Sequence, residues 1–180
     1  MGKKPVIIAV NSVSGGGKTA ITNELLGKLQ NAEAIYFDDY KGIDKNIPNI
    51  NKWVEDGADY SLWDLQVIAD DINKLLEENL DYIVLDYPFG YKHEQIAGFI
   101  DLSVYIDTPL DIALARRILR DYSPQGKTDS ILKDLDAYLH KRNAYHYAQT
   151  VHTDADLTVD GSLKTGDIAD IIVKKVKEIK

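Results

Sequence analysis

The stretch PVIIAVNSVSGGGKTAI, Pro5 to Ile21, decides the fold. Its apolar run PVIIAV is the kind of segment that a parallel strand buried on both faces requires. The spacing of Ile21, Leu25 and Leu29 after it is that of an amphipathic helix. Between strand and helix, Ser12-Val13-Ser14-Gly15-Gly16-Gly17-Lys18-Thr19 matches the phosphate-loop (Walker A) pattern Gly-x4-Gly-Lys-Ser/Thr except at its first position, where Ser12 replaces glycine. The alternative is a flexible strand-to-helix turn with a chance lysine. Gly15 to Gly17 let the backbone approach an anion closely, and a helix N-terminus faces the same point, so the placement favours a phosphate cradle. On that reading Ser14, Gly15, Gly16, Gly17, Lys18, Thr19 and Ala20 bind a nucleotide. Lys18 would reach the β and γ phosphates and the Thr19 hydroxyl would help hold Mg²⁺. ATP and GTP both satisfy this cradle.

Four more short apolar runs follow: AIYF (Ala34–Phe37), YIVL (Tyr82–Leu85), LSVYI (Leu102–Ile106) and DLTV (Asp156–Val159). Leu65, Ile68, Ile72, Leu75 and Leu76 have helical spacing between two of them. The alternation predicts an α/β fold in three layers, a five-stranded parallel sheet with helices on both faces. With the phosphate loop after its first strand this is the P-loop NTPase type, and the helix carrying Arg116, Arg117 and Arg120 supplies a helical lid. Thr108 as N-cap, Pro109 at the first helical position and Asp111 in the first turn start a further helix. Helices are also expected over Ile131 to about Ala148 and from about Asp167 to Glu178. Tyr40 to Ser61, rich in Asn, Asp, Lys and Gly, reads as a long irregular loop with a functional purpose.

The chain has 180 residues, which predicts one domain over 1–180, with the lid at about 116–130. No apolar run approaches the roughly 20 residues that cross a bilayer, and no secretory signal opens the chain, so the expectation is a soluble cytoplasmic protein. The absence of cysteine excludes disulfides, thiolate catalysis and cysteine-ligated metal. A formal net charge of −8 argues against broad binding to nucleic acid or acidic membrane.

Asp38 and Asp39 follow the second predicted strand in FDDYKG, at the carboxyl edge of a parallel sheet and beside the phosphate loop. A carboxylate there can take the proton of a substrate hydroxyl, and Asp38 is the better placed of the two; a solvated turn is the alternative. Asp86 ends the third strand in the manner of a Walker B carboxylate, so Thr19, Asp38 and Asp86 are the candidate metal ligands. Arg116, Arg117 and Arg120 share one side of a helix and form the local basic cluster, suited to a lid that stabilises charge on a transferring phosphoryl group. A solvated face paired with Asp111 or Asp121 would explain them otherwise. His93, His140, His146 and His152 show no metal spacing. Trp53 and Trp63 flank a segment with Asp59 and Asp64 near, a combination that suits a ribose-like polyol or heterocycle and equally suits core packing.

Taken in order, SVSGGGKT, FDDYKG, IVLDYP, YIDTPLDIALARRILRD and VDGS resemble the uridine kinase and nicotinamide riboside kinase group over nearly the whole chain. The resemblance implies an ATP-dependent kinase that phosphorylates a hydroxyl of a small nucleoside-like acceptor. It implies Asp38 as the base with Tyr40 beside it at the substrate, Lys18 and the arginines on the transferring phosphate, Arg116, Gly161 and Ser162 at the nucleotide, and Asp64 as the ribose-binding acid. Three departures stand out: Ser12 for glycine, Asp86-Tyr87 where these kinases carry Glu-Gly, and only EENLDY where uridine kinases insert a substrate-binding hairpin. A nucleotide-binding switch or regulatory ATPase without an acceptor is the second reading.

Overall fold

The computed structural model describes residues 4–122, 128–141 and 151–179. Five strands, β1 (Val6–Asn11), β2 (Ala32–Tyr36), β3 (Tyr82–Asp86), β4 (Leu102–Asp107) and β5 (Leu157–Asp160), form one parallel sheet in the order β2-β3-β1-β4-β5. The register pairs Val6 with Tyr82 and Val10 with Asp86, which brings the ends of β1 and β3 level. The order reverses around β1, so its C-terminal end lies at the topological switch point, where open α/β sheets bind ligands.

The apolar runs lack alternation because both faces are covered. Val6, Ile8 and Val10 of β1 join Ile21 and Leu25 of α1 (Lys18–Lys28) in one core. Ile7 and Ala9, pointing the other way, join Ile68 and Ile72 of a second core. The first core is closed by the C-terminal helix Thr165–Ile179 through Ile168, Ile172 and Val176. Asn11 is fully buried at the end of β1, and its amide donates to Ser103 Oγ and the Val104 carbonyl, both at 3.0 Å, tying β1 to β4 beyond the ladder.

Several boundaries differ from the sequence expectation for identifiable reasons. β2 begins at Ala32, and Phe37 belongs instead to a 3-10 turn, Phe37–Asp39. Within the otherwise irregular segment from Tyr40 to Ser61 a short helix forms: Asn49 caps α2 (Ile50–Glu55) by accepting from Asn51 N and Lys52 N. Ile47, Trp53 and Ala58 form a small core of their own there, and Trp53 Nε1 donates to the Asp59 carbonyl at 2.8 Å. On the second face lie α3 (Gln66–Leu76) and the single turn α4 (Glu94–Ala97).

The helix α5 (Leu110–Asp121) starts one residue later than expected, with Pro109 at the cap position and no side-chain cap. Thr108 does not cap it; the hydroxyl is engaged elsewhere. Helix α6 covers Thr128–Lys141, and the remainder of its expected span lies outside the described residues, as does part of the expected lid. The C-terminal helix, α7 in chain order, runs longer than expected at both ends. Among the described residues no helix is long and apolar enough to cross a membrane.

Candidate active site

Three local features build the phosphate loop. Gly16 N donates to the Val13 carbonyl at 2.9 Å, closing a turn, and Gly15 and Gly17 take φ values of 81° and 102° that suit glycine. Gly17 is the cap residue of α1, so Lys18 opens that helix. Ser12, the departure from the usual pattern, is buried and donates its hydroxyl to the Val13 carbonyl at 3.0 Å. A Cβ on Gly16 would overlap the Ser12 hydroxyl, so the serine is accommodated by the glycine opposite it.

The loop is clamped from the other side. Thr108, 3% exposed, donates its hydroxyl to the Gly16 carbonyl at 2.8 Å. A Cβ on Gly161 would overlap Thr108, and Gly161 N donates to the Asp107 carbonyl at 2.9 Å. Sequence reading missed this role because Thr108 stands directly before a proline-started helix, where a capping threonine is the ordinary expectation. Gly15 packs against the backbone of α5 so closely that a Cβ would overlap the Ala113 carbonyl oxygen. Gly15→Ala is therefore expected to cost at least about 2 kcal/mol, from the left-handed backbone and the clash together. Thermal unfolding beside Gly27→Ala, an α1 site with nothing within 4 Å, checks this; that control should be neutral or slightly stabilising.

Lys18 Nζ donates to the Ser12 carbonyl at 3.4 Å. Burial pulls its pKa below the ordinary lysine value; Asp86 and Asp38 oppose the shift, and Arg120 adds to it. Those three charges thus lie within electrostatic reach of one ammonium. Thr19 Oγ1 donates to Asp86 Oδ2 at 2.6 Å, joining the start of α1 to the end of β3. Burial raises the Asp86 pKa, with Asp38 and Asp39 adding to the rise and Thr19 and Lys18 opposing it.

The arginines divide. Arg120 binds Asp121 through two contacts of 2.6 and 3.1 Å, and Arg117 lies 3.8 Å from the same carboxylate. Arg120 also feels the charge of Asp38. Arg116 Nη1 comes within 3.9 Å of where a Gly17 Cβ would be, over the phosphate loop. Asp38 is exposed in the middle of its 3-10 turn.

The other expected residues are engaged with partners of their own. The Tyr40 hydroxyl donates to Asp71 at 2.7 Å, and Asp64 receives Lys45 at 2.5 Å. Ser162 donates through N and Oγ to Asp160, at 2.8 and 2.7 Å. Trp53 is buried, and Trp63 contacts Phe37 and Phe89 at centroid distances of 5.6 and 4.9 Å. Trp63, Tyr60, Asp59, Asp64, His93 and Glu94 line a cavity of about 580 Å³. His93 is buried with Nε2 2.9 Å from the Trp63 carbonyl; the side chains of the other three histidines lie outside the described residues.

Oxygen donors at Thr19 and Asp86 fit a hard cation such as Mg²⁺. Among the described residues no group of three or more His, Cys, Asp or Glu could hold a metal ion. A site with so few protein ligands suits an ion that keeps most of its coordination for water and phosphate oxygens.

Residues 57–169 match the family model described as the phosphoribulokinase / uridine kinase family. The chain belongs to that family. Across the phosphoribulokinase / uridine kinase family, a relative named uridine kinase from Anoxybacillus flavithermus is 25% identical over 207 residues, covering 99% of this chain and 97% of its own. A possible uridine kinase from Bacillus stearothermophilus shares the fold with a TM-score of 0.54 at 15% identity, over 89% of this chain and 91% of that one. Deoxyadenosine kinase from M. mycoides does so with a TM-score of 0.51 at 16% identity, over 97% and 100%. The five-stranded order and the phosphate loop are thus those of a P-loop kinase family, which implies ATP binding.

Proposed function

We propose that this chain is an ATP-dependent small-molecule kinase that moves the γ-phosphoryl group to a hydroxyl of a nucleoside-like acceptor. The observation that carries the reading is Lys18 at the phosphate loop within electrostatic reach of Asp86, Asp38 and Arg120, with Asp38 in reach of both Asp86 and Arg120. A switch protein needs Lys18 and Asp86 but has no use for an exposed carboxylate within electrostatic reach of the lysine.

In the proposed reaction the Asp38 carboxylate takes the proton of the acceptor hydroxyl as its oxygen bonds to phosphorus. The bond from phosphorus to the oxygen of the leaving ADP breaks. Lys18, and Arg116, Arg117 and Arg120 from α5, stabilise the charge spread over the phosphoryl oxygens. Thr19 and Asp86, with Asp38 nearby, would hold Mg²⁺, which when bound neutralises phosphate charge. The loop at Gly161 and Ser162 borders the nucleotide base. The body of the acceptor occupies the cavity beside Trp63 and Asp64, where the Trp63 ring meets that of Phe37, the residue next to Asp38.

An ADP-release screen over nucleosides, ribosides, vitamins and sugar alcohols tests this reading, with Lys18→Ala as the blank. The expected result is acceptor-stimulated turnover confined to ribosides. ATP binding without stimulation by any acceptor would overturn the kinase reading in favour of a switch.

A further inference from the structure

Building on the reading of Asp38 as the base, we propose that Tyr40 and Asp71 form a positioning pair that aims the Asp38 carboxylate from a distance. Asp38 lies in the middle of a single 3-10 turn, Phe37–Asp39, closed by Tyr40 N donating to the Phe37 carbonyl at 3.2 Å. One turn of this kind has little stability of its own. The carboxylate is exposed, and among the described residues no hydrogen bond or ion pair holds it. Its direction is therefore set by whatever anchors the two ends of the turn.

One end is Phe37, whose ring meets Tyr87, Phe89 and Trp63 at centroid distances of 6.0, 5.2 and 5.6 Å. The other is Tyr40, whose ring packs against the second core and whose hydroxyl donates to Asp71 Oδ2 at 2.7 Å. Asp71 stands on α3, and its other oxygen receives Lys74 at 2.6 Å, so both its oxygens are engaged. The turn is thus pinned to a helix packed on the sheet. Tyr40 acts through the backbone of the turn, and its hydroxyl is already committed to Asp71.

Four variants and a control separate this arrangement from a general stabilising contact. Tyr40→Phe and Asp71→Ala should each lower kcat about 10-fold, the value of one hydrogen bond to a charged group, with KM for ATP unchanged. The double variant should lose no more than either single one, because both remove the same bond. Asp71→Asn, which keeps an oxygen acceptor, should lose less than Asp71→Ala. Leu75→Ala, on the same helix and against the same core, should lower the melting temperature comparably and leave kcat intact. Hydrogen exchange of the peptide spanning Ile35 to Lys41 gives a readout that needs no acceptor. It should quicken about 10-fold in Tyr40→Phe and Asp71→Ala and stay unchanged in Leu75→Ala.

Unchanged exchange, additive losses in the double variant, or an equal loss of kcat in Leu75→Ala would each overturn the pair. If Asp38→Asn itself retains wild-type turnover, the reading of Asp38 as the base fails whatever the pair does. If Asp38→Asn is inactive while Tyr40→Phe turns over at the wild-type rate, the assignment stands and the pair alone fails.

Discussion

Asp38→Asn should lower kcat for the preferred acceptor by about 10³-fold, inside the range that a general base contributes. The amide has nearly the shape of the carboxylate and can still orient a hydroxyl, but it cannot take the proton. Because Asp38 is exposed, the exchange should leave the melting temperature within about 1 °C, since surface substitutions away from special features usually change stability little. ATP should bind at least as tightly as to the wild type, since one negative charge facing the phosphates is removed. Losing Asp38 also removes one of the two charges that hold up the Lys18 pKa, so that value should fall further. Steady-state ADP release and a calorimetric ATP titration read these two effects separately. A kcat within threefold of the wild type would remove Asp38 from the mechanism. Asp39→Asn, as companion, should lose less than about tenfold if the orienting role belongs to Asp38 alone.

Lys18→Ala should reduce kcat/KM for ATP by about 10³-fold, the scale on which a single charged donor to a developing oxyanion acts. The 3.4 Å contact with the Ser12 carbonyl is long for a charged donor, so moving to a phosphate oxygen gives up little. Stability should move the other way. A half-buried ammonium whose pKa is depressed by lost solvation opposes folding while it is protonated, because the unfolded chain binds the proton more tightly. Its cost is full below the folded pKa and fades as pH rises toward the ordinary lysine value. Lys18→Ala removes that cost at neutral pH, so its melting temperature should equal or exceed that of the wild type. Lys18→Arg should recover less than about a tenth of the activity, since a planar guanidinium does not replace a compact point charge in a narrow cradle. A melting temperature lowered by several degrees in Lys18→Ala would show instead that the lysine supports the fold.

The sheet was legible because each of its strands is an apolar run with turn or helix signals on both sides, and burial on both faces leaves no other reading for PVIIAV. The placement of the phosphate loop, Asp38 and Asp86 was legible because parallel topology sends the C-terminal ends of the strands to one edge. What escaped depends on partners distant in sequence. Thr108 reads locally as a cap, and only the fold brings it to Gly16, 92 residues away. Tyr40 and Asp71 are 31 residues apart, and nothing in either segment signals their contact. The short helix α2 between Tyr40 and Ser61 was hidden by polar composition, although Asn49, directly before it, is a start signal of the ordinary kind.

The overlap that any side chain at position 15 would make with the Ala113 carbonyl bears on how members of this family can be recombined. A chimera that brings in an arginine helix from another kinase inherits a backbone placed against its own donor's loop, not this one. Crossovers between Ser12 and Asp121 that separate the two would pair mismatched surfaces, whereas breakpoints placed before β1 and after α5 keep them together. Grafts that move the loop and the helix as one cassette should give folded, nucleotide-binding hybrids more often than grafts of either alone.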